Sequence, residues 1–283
     1  WGVAQSLLGN AAAARNYLTT VLLPSKTFQL GDIRGDRACH GNQFEGRCQD
    51  PKQAGDCGFC YGDGDATMPK NNAYFFRMIG DYYSLEGTVD QRCPGLGHVW
   101  SWNDWKPILG ENAWANLLGP MQVAVLAAGG DPSAVGAGSV ELRLAAQLIP
   151  ALLAMRAGDL GAVYYTPHNT YFYSNPNAGS TVSVENQASL LAGLRAFQWV
   201  LRHQSSPNRA LLCDVDLLIK GVEKFLLSAW DHSGGYFRQG GTYDAHTKKF
   251  TWVQGDSPKF AVDCQTWVGA VMGPEVIDHK FGA

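Results

Sequence analysis

The chain is predicted to be all-α: an (α/α) toroid of helical hairpins, with a cysteine-rich loop insertion over 24–70 and a small β-hairpin on its rim. Three observations predict this. Three stretches share one shape, namely ENAWANLLG (111–119), ENQASLLAG (185–193) and DCQTWVGAVMG (263–273). In each, an acid is followed by Asn or Cys, then by a short polar or small segment, then by apolar residues and Gly. The acids are evenly spaced, with 74 residues from Glu111 to Glu185 and 78 from Glu185 to Asp263. That period exceeds one helical hairpin of a solenoid and suits two hairpins of a ring, every second inner helix presenting an acid. Several stretches between them repeat apolar residues every three or four positions, the helical period.

Taken in order, residues 1–23 are Ala- and Leu-rich and read as a helix ending near Pro24. Residues 24–70 hold no lasting period and are dominated by Gly, Asp, Cys and Pro, so they read as a stapled loop excursion and not as a second domain; the chain is one domain over 1–283. Residues 71–86 read as a helix with an aromatic face, followed by a loop with Trp100, Trp102 and Trp105 within six positions. Glu111 opens a helix that Gly119-Pro120 should kink or restart. A Gly/Ala loop spans 128–138. Ser139 then caps a helix over 140–157, with Gly158 as its stop and Pro150 interrupting its ladder. Residues 159–183 form an aromatic loop centred on YYTPHNTYFYSNPN. The helix over 184–202 carries the stripe Leu190, Leu194, Phe197, Leu201. Asp214 is expected to cap a helix reaching Trp230, with Leu218, Val222, Phe225 and Leu226 on one face. Residues 234–254 read as a β-hairpin, one run holding Tyr236 and Phe237 and the other Phe250 and Trp252. A loop, GDSPKFAV, then delivers Asp263 to a last helix that stops at Gly273-Pro274.

The bulk properties narrow the function classes. An apolar fraction of 46% and a charged fraction of 17% fit a large folded core. The net charge of −3 and pI near 6.2 imply no polyanionic partner, hence no nucleic acid. The most apolar run, 144–155, contains Gln and Pro and is too short to span a bilayer. The chain starts at Trp1 without Met, which suggests a trimmed product, and five of the seven Cys fall between Cys39 and Cys93. Clustered Cys in an irregular region point to disulfides and a secreted, extracellular protein. The five are an odd set, so one is free or pairs with Cys213 or Cys264. The rival reading is a zinc site at Cys57-Gly-Phe-Cys60 with Cys39, His40 and Cys48, although no second CxxC follows. Phosphate-loop, dinucleotide, GxSxG and HExxH signatures are absent, and no cofactor is implied.

If the inner helices run the same way, acids in their first turns converge on one cavity. Glu111, Glu185 and Asp263 are therefore the candidate catalytic carboxylates. Glycoside hydrolysis needs such a pair, one protonated to donate to the leaving oxygen and one ionised to activate water or attack. Trp100, Trp102, Trp105, Trp114, Tyr164, Tyr165 and Trp267 offer flat faces for sugar rings, and Asn112, Asn186 and Gln187 offer hydroxyl partners beside the acids. The plainer explanation is that a first-turn acid only complements the helix dipole, worth about 0.3–1 kcal/mol. A second constellation, His168, Asn169 and Tyr171, has the residue types a polysaccharide lyase needs to neutralise a uronate and remove its α-proton. Cys264 stands at a helix start, but the adjacent Asp263 should raise its pKa and disfavour a thiolate nucleophile.

At the helix ending in AWDHSGGYF and at FAVDCQTW, the chain resembles members of the (α/α)-toroid carbohydrate-active superfamily, over roughly 71–274. The resemblance implies a glycan-binding cavity and a carboxylate pair, with Glu111, Glu185 and Asp263 at the matching positions. The expected function is a glycoside hydrolase acting on a neutral poly- or oligosaccharide, with Asp263 as general base and Glu185 or Glu111 as general acid. A toroidal lyase, or a non-catalytic extracellular glycan-binding or assembly-forming protein, are the alternatives.

Overall fold

A computed structural model describes residues 8–17, 59–61, 108–166, 170–172, 178–253 and 261–282. The helices, in chain order, are α1 (Ala11–Tyr17), α2 (109–127), α3 (Val140–Ala154), α4 (Val184–His203), α5 (Arg209–Ser228), α6 (Val262–Met272) and α7 (Pro274–Phe281). The strands are β1 (Phe59–Tyr61), β2 (Thr170–Phe172), β3 (Thr181–Ser183), β4 (Trp230–Asp231), β5 (Tyr236–Phe237), β6 (Gly240–Asp244) and β7 (Lys249–Trp252).

This corrects the expectation of an all-α toroid. The described part is 65% helical and 11% strand. Its strands pair antiparallel as β1–β2, β3–β6–β7 and β4–β5. Among the described helices one is central, and no closed ring is shown. α4 is that helix, lying against α2, α5 and α6. Its stripe of Leu190, Leu194, Phe197 and Leu201 is buried, as are Leu218, Val222, Phe225 and Leu226 of α5. Gly193 lets α4 close on α2, because a Cβ there would sit 2.8 Å from Leu117 Cβ. Arg195 ties three helices together: it donates to Glu223 of α5 at 2.7 Å and to the Val271 carbonyl near the end of α6.

Local chemistry explains most element ends. Ser139 accepts from Leu142 N at 3.3 Å and starts α3, which runs through Pro150 without breaking. α2 also survives its proline. Residues Ala113–Leu118 widen into a π turn, the Gly119 N–H bonds back to Trp114 O, and Pro120 falls where its missing N–H and its ring are tolerated. α5 begins earlier than expected: Asn208, not Asp214, supplies the cap, accepting from Leu211 N at 3.1 Å. The rim hairpin also pairs differently. Phe250 faces Tyr243 in the β6–β7 ladder, whereas Tyr236 and Phe237 pair with Asp231 and Trp230. The stop at Gly273 is followed by a further helix, α7.

The recurrence of acid-led helices has a structural counterpart in the units that lead to Glu185 and Asp263, whose acids are 78 residues apart. α3 is followed by an antiparallel bridge between Arg156 and Val163 and then, after β2 and β3, by α4. α5 is followed by the pairing of Trp230 with Phe237 and then, after the hairpin, by α6. The two bridges are offset by 74 residues, Arg156 to Trp230 and Val163 to Phe237. The repeated unit is helix, β-bridge, strand, acid-led helix. Apart from Phe59–Tyr61, the cysteine-rich insertion lies outside the described residues, as does the helix expected over 71–86.

Candidate functional site

The starts of α2, α4 and α6 come together at one open cleft of about 560 Å³. Its walls include Ile108 before α2, Ser183, Glu185 and Asn186 at the start of α4, and Ala261 and Cys264 at the start of α6. Tyr165, Gln239, Gly240 and Gly241 complete the side formed by the loops and β6.

The way each helix is delivered here follows from the sequence. β3 leads straight into α4, and its last residue, Ser183, is also the helix cap, accepting from Asn186 N at 3.4 Å. Asn186 joins two helix starts. Its Nδ2 donates to Ser183 Oγ at 2.9 Å, and its Oδ1 accepts from Gly110 N of α2 at 2.6 Å. Gly110 permits this, since a Cβ there would lie 2.6 Å from that same oxygen. The Tyr165 carbonyl holds the next amide of α2, accepting from Leu109 N at 2.9 Å.

Two of the three candidate acids are close enough to sense each other. Glu185 lines the cleft, and its carboxyl is held above the usual carboxylate range, first by burial and second by the charge of Asp263. A glutamate in the first turn of a helix would ordinarily be pushed the other way by the helix dipole. Desolvation and the neighbouring acid outweigh that, which favours a proton kept on Glu185. Asp263 occupies the first turn of α6, next to the cleft residue Cys264. Burial first, then Asp263 and Glu185, push the Cys264 thiol up to about 11, so no thiolate is available as a nucleophile near neutral pH. Glu111 is half-buried in the first turn of α2, and neither it nor Asp263 is among the side chains lining this cleft.

One turn further along the same helices, Trp114, Ser189 and Trp267 meet. Trp114 Nε1 donates to Ser189 Oγ at 3.3 Å, and the two indoles pack edge to face with centroids 6.2 Å apart. The pair stays accessible, Trp114 at 39% and Trp267 at 36%. Because residues three or four apart share a helix face, these two contacts also register the acids one turn above them.

Other expected ligands have different places. Asn112 is fully buried; it donates to the Ile108 carbonyl at 2.9 Å and accepts from Asn116 at 3.0 Å. Gln187 is fully buried too, and both ends of its amide bond the backbone of Val163, at 3.0 and 2.7 Å. Their polar groups are used within the fold, not presented to a ligand. Tyr164 is buried beside Tyr243, while Tyr165 lines the cleft. Trp100, Trp102, Trp105 and His168 lie outside the described residues.

One functional candidate missed from sequence is Gln265. It bonds Phe237 N at 2.8 Å and Phe237 O at 2.7 Å, the same two-ended pairing that Gln187 makes with Val163. The signal was present in the shared spelling acid-x-Gln, Glu185-Asn186-Gln187 and Asp263-Cys264-Gln265. Among the described residues, Cys213 and Cys264 are free thiols, no group of three ligating side chains suits a metal ion, and no helix is long and apolar enough to cross a membrane. Comparison with known proteins finds no matching family model, no matching curated protein and no matching solved structure.

Proposed function

We propose that the protein is a glycoside hydrolase acting on a neutral poly- or oligosaccharide at the cleft where α2, α4 and α6 begin. The observation that carries this reading is the carboxyl of Glu185, raised by burial and by Asp263 while facing an open cleft. Two neighbouring acids, one of them held above its ordinary range, suit a division of labour. Glu185, protonated, donates to the glycosidic oxygen as the bond to the anomeric carbon breaks. Asp263, as the general base, takes a proton from the attacking water. The accessible Trp114–Trp267 pair supports a carbohydrate partner, because an indole face covers the apolar side of a pyranose ring.

The test is an assay of wild type, Glu185→Gln and Asp263→Asn against a panel of neutral polysaccharides, reading reducing ends released and retention on the same immobilised glycans. General acid–base catalysis is worth about 10²–10⁴-fold. Each variant is therefore expected to lose turnover on that scale and to keep glycan retention. Turnover that survives both substitutions sinks the reading. Products absorbing in the ultraviolet would instead support a lyase, and retention without turnover by the wild type would support a binding protein.

A further inference from the structure

We propose that Gln187 and Gln265 are matched positioning residues, each fixing the rotation of its helix so that the acid two positions earlier is held in the Glu185–Asp263 pair. The inference deepens the hydrolase reading and rests on it for any consequence in turnover, but its geometry stands separately. Each Gln amide spends its acceptor and its donor on the N–H and C=O of one residue, Val163 for Gln187 and Phe237 for Gln265. One hydrogen bond would leave the helix free to roll about that contact. Two to the same backbone residue set its azimuth.

The anchors are themselves fixed. Val163 and Phe237 are bridged antiparallel to Arg156 and Trp230, just beyond the ends of α3 and α5. Positions two apart on a helix are separated by about 200°. Turning Gln187 and Gln265 toward their anchors therefore turns Glu185 and Asp263 away from them. The device also separates the three candidate acids. The position two beyond Glu111 is Ala113, fully buried and without a side-chain amide, so this glutamine device does not recur on α2. The duplicated unit delivers a pair, Glu185 and Asp263, and Glu111 is not its third member.

The test reads the titration of Glu185 by carbon NMR of its labelled side-chain carboxyl, in the full chain. The groups facing it from α6 are Asp263 and Cys264. Asp263→Asn is expected to lower the Glu185 midpoint. Gln265→Leu is expected to lower it at least as far, because releasing α6 removes both the charge of Asp263 and part of the burial. A Gln265→Leu protein that keeps its near-ultraviolet circular dichroism and the wild-type midpoint overturns the proposal. If that variant does not fold, Gln265→Asn keeps an amide one methylene too short to bond Phe237 at both ends. It is expected to shift the midpoint the same way by less, and an unmoved midpoint again overturns the proposal. The readout needs no substrate, so a protein that cleaves no glycan but shows the shift separates failure of the hydrolase reading from failure of this one.

Discussion

Glu185 is held where it is least comfortable as an anion, and this makes it a measurable liability. Its native carboxyl titrates above the ordinary value of 4.5, for burial first and Asp263 second. The unfolded chain gives up that proton at lower pH than the folded protein does. Between those two midpoints the native state binds more protons, so stability falls as pH rises. The penalty is absent below the unfolded midpoint and complete above the folded one. Glu185→Gln removes the ionisable group, so the variant is expected to melt higher than wild type at neutral pH and to match it below about pH 4. Thermal unfolding of both proteins across that range checks this; a variant no more stable at neutral pH would mean that Glu185 is comfortably ionised. A site that gains stability when its acid is removed fits a residue retained for chemistry and not for packing.

At the scale of elements, helix ends show which rules can be read locally. Ser139 and Ser183 cap α3 and α4 by accepting from a first-turn amide, and the first of these is legible as a Ser placed just before an apolar period. The start of α5 misleads, because Asp214 and Asn208 are equally good cap residues by type, and it is Asn208, five residues after α4 ends at His203, that accepts from the helix. Asn208→Ala is expected to cost about 1 kcal/mol, the usual loss for an N-cap, and Asp214→Ala, inside the helix, to stay within about 0.5 kcal/mol. Urea unfolding of the two variants separates them, and the reverse order would return the cap to Asp214. The short strands were out of reach for another reason. β3 has three residues and buries only Val182, so its alternation is too short to detect. The Arg156–Val163 bridge is a backbone pairing that no side-chain pattern announces. Pro120 was expected to kink or restart its helix, because its cost is local; the π turn at Ala113–Leu118 that precedes it is a property of the whole helix.

Across the whole molecule, the repeat of acids was legible and the architecture built on it was not. Spacing records how often a unit recurs; whether units close a ring depends on contacts between residues far apart in sequence. One such contact is as tight as backbone allows. Gly161, in the loop of the first unit, lies directly against Gly221 in α5 of the second, and a Cβ on Gly161 would stand 2.8 Å from Gly221 Cα. Gly161 also has φ of +81°, a left-handed conformation that a side chain strains. A Cβ on Gly221 would press into the Gly161 carbonyl, which is backbone and cannot swing aside. Gly221→Ala therefore sets two effects against each other. Replacing Gly by Ala inside a helix gains about 1 kcal/mol. Overpacking costs about 1–3 kcal/mol, and more where the obstacle is rigid. The rigid obstacle decides the sign, and a net loss of about 2 kcal/mol is expected, a fall in Tm of several degrees for a domain this large. Gly221→Ala melting at or above wild type would mean that the two units are not seated on each other at this point.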